Sequence, residues 1–352
     1  MPLVAYNDLP TFQRLKEEGR TVLSAQRAQT QEIRQMHIGL LNMMPDSALQ
    51  ATERQFFRLV GESNQIAQLY VHPFTLPEIS RDADTTAYIK QHYTTFEALK
   101  AEGLDALIIT GANIANPDLT QAPFWEPLQE IMGWAWDNVT STLCSCLATH
   151  AVMQFRYHER RQPLGKKLWG VYGHRVLNRT HPLVRGVNTV FNVPHSRFNA
   201  ISQEQFERAG LQVLANSPEA GAHIAVSPDG FRLICFQGHP EYDTISLYKE
   251  YTREVGRYVA GERKIYPPVP VRYFSKPLQK SFGAYKAALQ NGERPAPPFD
   301  DTMMREALEN SWRDSARSII ANWIGLVYQT THVERAKQFM DGINPMNPLK
   351  GL

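Results

Sequence analysis

The 352-residue chain carries a formal net charge of +2, with 43% apolar and 20% charged residues. That composition supplies a substantial core, and so small a charge argues against nucleic acid or an acidic membrane surface as a partner. No apolar run reaches the roughly 18 residues of a bilayer-spanning helix, and the N-terminus shows no basic segment followed by an apolar one, so the chain reads as cytoplasmic, with no membrane partner. Its three cysteines are then expected as thiols. The Asn-x-Thr sites at Asn138 and Asn178 carry no meaning without export.

In chain order, residues 1–35 are polar, with a helical look around Phe12–Glu18. Met36–Pro45, MHIGLLNMMP, is a short apolar run ended by proline and suits a buried strand. Ala48–Val60 has helical spacing. Gln65–Val71 reads as a second strand. Tyr93–Gly103 reads as a short helix that a glycine ends, and Leu104–Thr110 as the clearest strand. Phe124–Trp136 is an aromatic-rich helix. Val139–Leu143 is a β-branched strand that runs into Cys144-Ser145-Cys146, and Leu147–Tyr157 is helical. Strands alternating with helices predict a mostly parallel sheet with helices on both faces, an α/β fold. After about residue 165 the pattern changes. Gly170–Leu177, Thr189–Val193, Leu211–Asn216, His223–Ser227 and Phe231–Phe236 are short strands between turns, so antiparallel additions are expected. A helix over Thr244–Val259 closes the core. Residues 264–300 are rich in proline and basic residues and read as a meandering excursion. A last helix is expected over about Met303–Thr330. The chain thus divides into an N-terminal arm (1–35), a catalytic domain (36–263) and a C-terminal extension (264–352) whose helix packs back on the core.

Cys146 stands where an apolar strand gives way to a helix, at the strand end where open α/β sheets place their ligands. A sharp turn there exposes the side chain, the next N–H can face an oxyanion, and the helix N-terminus favours thiolate. A buried structural cysteine is the competing reading. Cys144, two residues earlier, reads as core. With Cys146 and His150 it lacks a fourth ligand at zinc spacing, so no metal is expected. His239 and Glu241 lie in CFQGHPEYD just past a strand, framed by glycine and proline. A histidine oriented by a carboxylate is what activates a cysteine nucleophile; a surface turn is the alternative. In Thr110–Asn113, TGAN, Gly111 lets the backbone approach a ligand and can supply an oxyanion N–H; an ordinary strand-to-helix turn reads equally well.

Taken together, these segments resemble the homoserine O-acyltransferases of the succinyltransferase type. The resemblance runs nearly the whole chain: QEIRQMHIGLLNMMP, ITGA, VTSTLCSCLA, KLWGVYGHRV, VPHSRF, QGHPEYD and SWRDSARSIIANWIGLVYQ follow in family order. It implies a flavodoxin-like, class I glutamine-amidotransferase-like fold. It also implies a ping-pong reaction that opens methionine biosynthesis, with an acyl-CoA donor and homoserine as acceptor. By that resemblance Cys146 is the acyl-thioester nucleophile, His239 the general base and Glu241 its orienting partner. Lys167, Ser196 and Arg253 match amino-acid-binding residues, and Leu147 and Gly111 supply oxyanion N–H groups. The position separating acetyl from succinyl donors matches Ala115, small and uncharged, which favours succinyl-CoA. No prosthetic group or metal is implied, because the CoA thioester is a co-substrate; a homodimer is compatible. One departure is Asp46-Ser47, where the family commonly has lysines.

Overall fold

The computed structural model describes residues 3–30, 32–64, 66–114, 116 and 118–352. Among them, eleven strands form one sheet: β1 (Leu3–Ala5), β2 (Val22–Ser24), β3 (Gln35–Leu41), β4 (Gln68–Phe74), β5 (Ala106–Ile109), β6 (Ser141–Ser145), β7 (Gln162–Val176), β8 (Val190–Ala200), β9 (Gln212–Ser217), β10 (Gly221–Val226) and β11 (Leu233–Phe236). Their spatial order is β2-β1-β4-β3-β5-β6-β11-β10-β9-β7-β8. Every neighbouring pair from β2 to β11 is parallel, and every pair from β11 to β8 is antiparallel. The architecture is the expected α/β sheet with antiparallel additions.

Strands buried on both faces need helices on both faces. Successive residues of a strand point to opposite faces. Accordingly, Ile108 of β5 joins one core cluster while Leu107 and Ile109 join another. On the first face the helices Asp46–Ser63 and Arg313–Thr330 bring Phe57 and Val60 together with Ile320 and Trp323. On the second, the helices Trp125–Asn138 and Leu147–Tyr157 contribute Leu128, Ile131, Ala151 and Met153. A third, aromatic cluster joins Trp169 of β7, Tyr248 and Tyr251 of the helix Ser246–Val259, and Phe274, Phe282 and Trp312.

Several elements differ from the sequence reading. Residues 1–35, expected as an arm, add β1 and β2 to the sheet edge; strands of three residues are too short to show alternation. β4 starts three residues later than expected, and Gln65, where the strand was expected to begin, lies outside the described residues. A helix over Ala83–His92 escaped notice because none of its residues is buried, so it has no apolar stripe to read. Phe231–Phe236 was grouped with the antiparallel strands, yet β11 pairs in parallel with β6 and completes the central sheet. The excursion 264–300 contains a helix, Lys276–Gln290, that begins with a proline in its first turn. The last helix is two, Asp301–Ala307 and Arg313–Thr330. Between them Asn310 Oδ1 accepts from the N–H groups of Trp312 and Arg313 at 3.2 and 2.9 Å, a side-chain turn that leads into the second helix.

Candidate active site

The carboxyl ends of β3, β5, β6 and β11 open on one side of the sheet, and the candidate residues gather there. Cys146 follows β6 directly and precedes the helix Leu147–Tyr157, with φ +53° and ψ −107°. Left-handed φ costs a non-glycine residue free energy and persists only where its surroundings enforce it. Here the Cys146 N–H donates to the Phe236 carbonyl at 2.7 Å, and the Thr149 hydroxyl donates to the carbonyls of Cys144 and Phe236 at 2.8 and 2.9 Å. The turn leaves Cys146 partly exposed while Cys144 and Cys235 are buried. Burial pushes the Cys144 thiol well up and the Cys235 thiol up to about 12, so both are inert as nucleophiles at neutral pH. Gly111 lies against the elbow: a Cβ built there would stand 3.5 Å from Cys146 Cβ and 3.9 Å from Leu147 N.

His239 and Glu241 follow β11. His239 Nδ1 and Glu241 Oε1 are 2.7 Å apart, and both side chains are buried. Burial works to lower the His239 pKa, but the Glu241 carboxylate and then Cys146, by charge and by hydrogen bond, raise it well above the ordinary value. The structure therefore places the hydrogen-bonded His239–Glu241 pair within electrostatic reach of Cys146. The turn is packed tightly from behind. A Cβ on Gly238 would come 2.5 Å from Val193 Cγ1 and 2.8 Å from His195 Nε2, so glycine alone fits. The His239 N–H donates to Pro194 O at 2.8 Å. Burial lowers the pKa values of the neighbouring His174, His195 and His223, which are neutral at physiological pH and put no competing charge near His239.

Lys167 on β7 and Ser196 on β8 meet at Glu250 of the helix Ser246–Val259. Lys167 Nζ lies 3.1 Å and Ser196 Oγ 2.6 Å from Glu250 Oε2, while the Tyr242 hydroxyl donates to Oε1 at 2.8 Å. Burial would raise the Glu250 pKa, but the Lys167 charge and hydrogen bonds from Ser196 and Tyr242 bring it below the ordinary value. Arg253 lies one helical turn beyond Glu250 on the same face. It is 54% exposed and pairs with Glu254 at 3.8 Å rather than with this cluster. Ala115 lies outside the described residues; its neighbour Asn116 accepts through its carbonyl from Arg161 Nη2. Asp46 opens the helix Asp46–Ser63, its carboxylate held by Arg81 Nη1 at 3.0 Å and by the Asp82 N–H at 2.8 Å.

Sequence reasoning missed several residues. Arg58 donates to the Glu241 carbonyl at 2.9 Å, and Arg54 and Arg58 both bind Asp243, clamping the turn that carries the histidine. Glu250 passed as one more charge on an amphipathic helix; its spacing from Arg253 was the one available signal. Two further guanidiniums, Arg161 and Arg197, are held below their ordinary pKa by burial, Arg197 at about 10, with Cys146 acting in the opposite direction on both. Among the described residues no group of three or more histidine, cysteine or acidic side chains could hold a metal ion.

An elbow cysteine backed by a buried histidine–carboxylate pair can carry an acyl group as a thioester and hand it to a second nucleophile. This is the equipment of a covalent acyl- or amidotransferase. The chain belongs to the homoserine O-succinyltransferase family, whose sequence profile matches residues 2–333. It is 60% identical to the homoserine O-succinyltransferase of Allochromatium vinosum, over 99% of both chains. It is 58% identical to that of Nitrosococcus oceani, over 99% of this chain and 98% of the other. Among solved structures, it is similar to a glutamine amidotransferase from Thermotoga maritima at a TM-score of 0.46 and 9% identity, over 84% of this chain and 99% of that one.

Proposed function

We propose that this chain transfers the succinyl group of succinyl-CoA to the hydroxyl of L-homoserine, giving O-succinyl-L-homoserine and CoA in the cytoplasmic synthesis of methionine. Full-length identity with homoserine O-succinyltransferases carries this reading. The residue roles rest on the buried His239–Glu241 pair and on the elbow that leaves Cys146 partly exposed beside Gly111.

The Cys146 thiolate attacks the thioester carbonyl, and the N–H groups of Leu147 and Gly111 receive the oxyanion. The tetrahedral intermediate collapses with loss of CoA thiolate, which takes the proton of the His239 imidazolium. Acylation removes the influence of Cys146, which with Glu241 holds the His239 pKa up. The imidazole, now neutral, accepts the homoserine hydroxyl proton as that oxygen attacks the thioester. The Cys146 sulfur leaves and the ion pair is restored. Glu241 orients the ring throughout. Glu250 takes the acceptor's ammonium, and Lys167, Ser196 and Arg253 its remaining polar groups. Asp46, neutralised by Arg81, does not repel the donor's carboxylate.

A panel of acetyl-CoA and succinyl-CoA against homoserine and serine tests the reading. Succinyl-CoA with homoserine is expected to give the highest kcat/KM, and Ala115→Glu to reverse the donor preference by placing a like charge beside the succinyl carboxylate. A parent enzyme that uses acetyl-CoA better would overturn the donor assignment. One that only hydrolyses the thioester would overturn the acceptor.

A further inference from the structure

We propose that Tyr242 is a positioning residue that couples acceptor binding at Glu250 to the orientation of His239, a role that rests on the assignments of His239 and Glu250 above. Tyr242 touches both halves of the site. Its ring lies nearly parallel to the His239 imidazole, with centroids 4.4 Å apart and an interplanar angle of 18°. Its hydroxyl donates to Glu250 Oε1 at 2.8 Å, while Ser196 and Lys167 converge on Oε2. The backbone gives it little room to drift. The Tyr242 N–H donates to the His239 carbonyl at 3.2 Å, and the Tyr242 carbonyl accepts from Trp312 Nε1 at 3.0 Å.

An amino-acid ammonium arriving at Glu250 shares Oε1 with the Tyr242 hydroxyl, because a carboxylate oxygen accepts more than one hydrogen bond. The phenol, fixed at its hydroxyl end by Glu250, packs on the imidazole face and limits how the His239 ring can turn. His239 has two tasks: it gives a proton to CoA before the acceptor is needed and takes one from homoserine afterwards. Only the second requires the ring to be aligned on an acceptor seated at Glu250. Tyr242 is therefore needed mainly in the second half-reaction. A residue that merely packed would weigh equally on both.

The test is Tyr242→Phe, which keeps the stacked ring and loses the hydroxyl bond. Succinyl-CoA alone is mixed with enzyme, and the CoA burst and succinyl adduct are followed; homoserine is then added and adduct loss is timed. The burst is expected to stay within about threefold of the parent and transfer to homoserine to fall about tenfold, the cost of one hydrogen bond to a charged group. Transfer within about threefold of the parent, or a burst that falls as far as transfer, overturns the proposal. Should Tyr242→Phe fail to fold, Tyr242→His, which retains a ring over His239, takes its place. His239→Ala serves as the control. If it forms and transfers the adduct at the parental rate, the site assignment itself is wrong. If it is impaired while Tyr242→Phe behaves as the parent, only the role of Tyr242 is lost.

Discussion

The parallel and antiparallel halves of the one sheet contribute to the site in different ways. From the parallel half come backbone turns: the elbow after β6, the Gly111 loop after β5 and the His239 turn after β11, each placed by where a strand stops. From the antiparallel half come side chains reaching off long strands, Lys167 on β7 and Ser196 on β8, to meet an acidic partner on a helix. A parallel strand must end and cross over, so its carboxyl end gathers turns and free N–H groups suited to bond-making. An antiparallel pair can run on past the sheet and hold out functional groups for recognition. The division predicts that changes at the turns stop chemistry, while changes on β7 and β8 weaken acceptor binding.

The largest effect is expected of Cys146→Ala, a loss of transfer on the order of 10⁶ together with the succinyl adduct in a mass spectrum, as when a triad nucleophile is removed. His239→Ala is expected to slow transfer by roughly 10²–10⁴, the range for a positioned general base. Glu241→Gln, assayed at saturating substrate, should cost less, because the histidine remains and only its orientation suffers; a folded Glu241→Gln equal to the parent would remove the carboxylate from the mechanism. Lys167→Ala sharpens the contrast. It should raise the homoserine KM about tenfold and leave the CoA burst intact, since uniform binding is lost and the turns are untouched. A Lys167 variant that loses the burst would show that β7 takes part in chemistry. The smallest effect is expected of Cys144→Ala, with activity within about twofold and stability lower by about 1 kcal/mol on chemical denaturation, because only a buried thiol is deleted. A dead Cys144 variant beside a live Cys146 variant would exchange the two cysteines' roles.

The parallel half was also the more legible in the sequence. Strand, small residues and helix around Cys146 are consecutive, and β6 and the helix Leu147–Tyr157 fall close to where periodicity puts them. QGHPEYD announces a turn through glycine and proline. Lys167, Ser196 and Arg253 came only through likeness to a family, because a lysine or a serine on a strand carries no local mark of its partner. The convergence of Lys167 and Ser196 on Glu250 joins elements far apart in the chain, and Glu250 itself sits on a helix face where charge is ordinary. Tyr242 was read as part of the motif, yet its stack on His239 depends on a side-chain direction that no spacing encodes. The Arg54 and Arg58 clamp was hidden for the same reason: arginines on an amphipathic helix look solvated until the fold brings Asp243 to them.

That clamp makes the site a late product of the chain. The helix Asp46–Ser63 leaves a ribosome almost 180 residues before the turn it grips can be made. Until then its arginines have no carboxylate to hold, and the elbow cysteine, also made earlier, has no base beside it. A nascent or truncated chain can thus shape the nucleophile's turn without gaining the proton acceptor that makes the thiol useful. On the proposed roles, catalytic competence arrives only when the helix after β3 and the turn after β11 close on each other, so recovered activity during refolding is expected to report the joining of the two ends of the catalytic region rather than the formation of either.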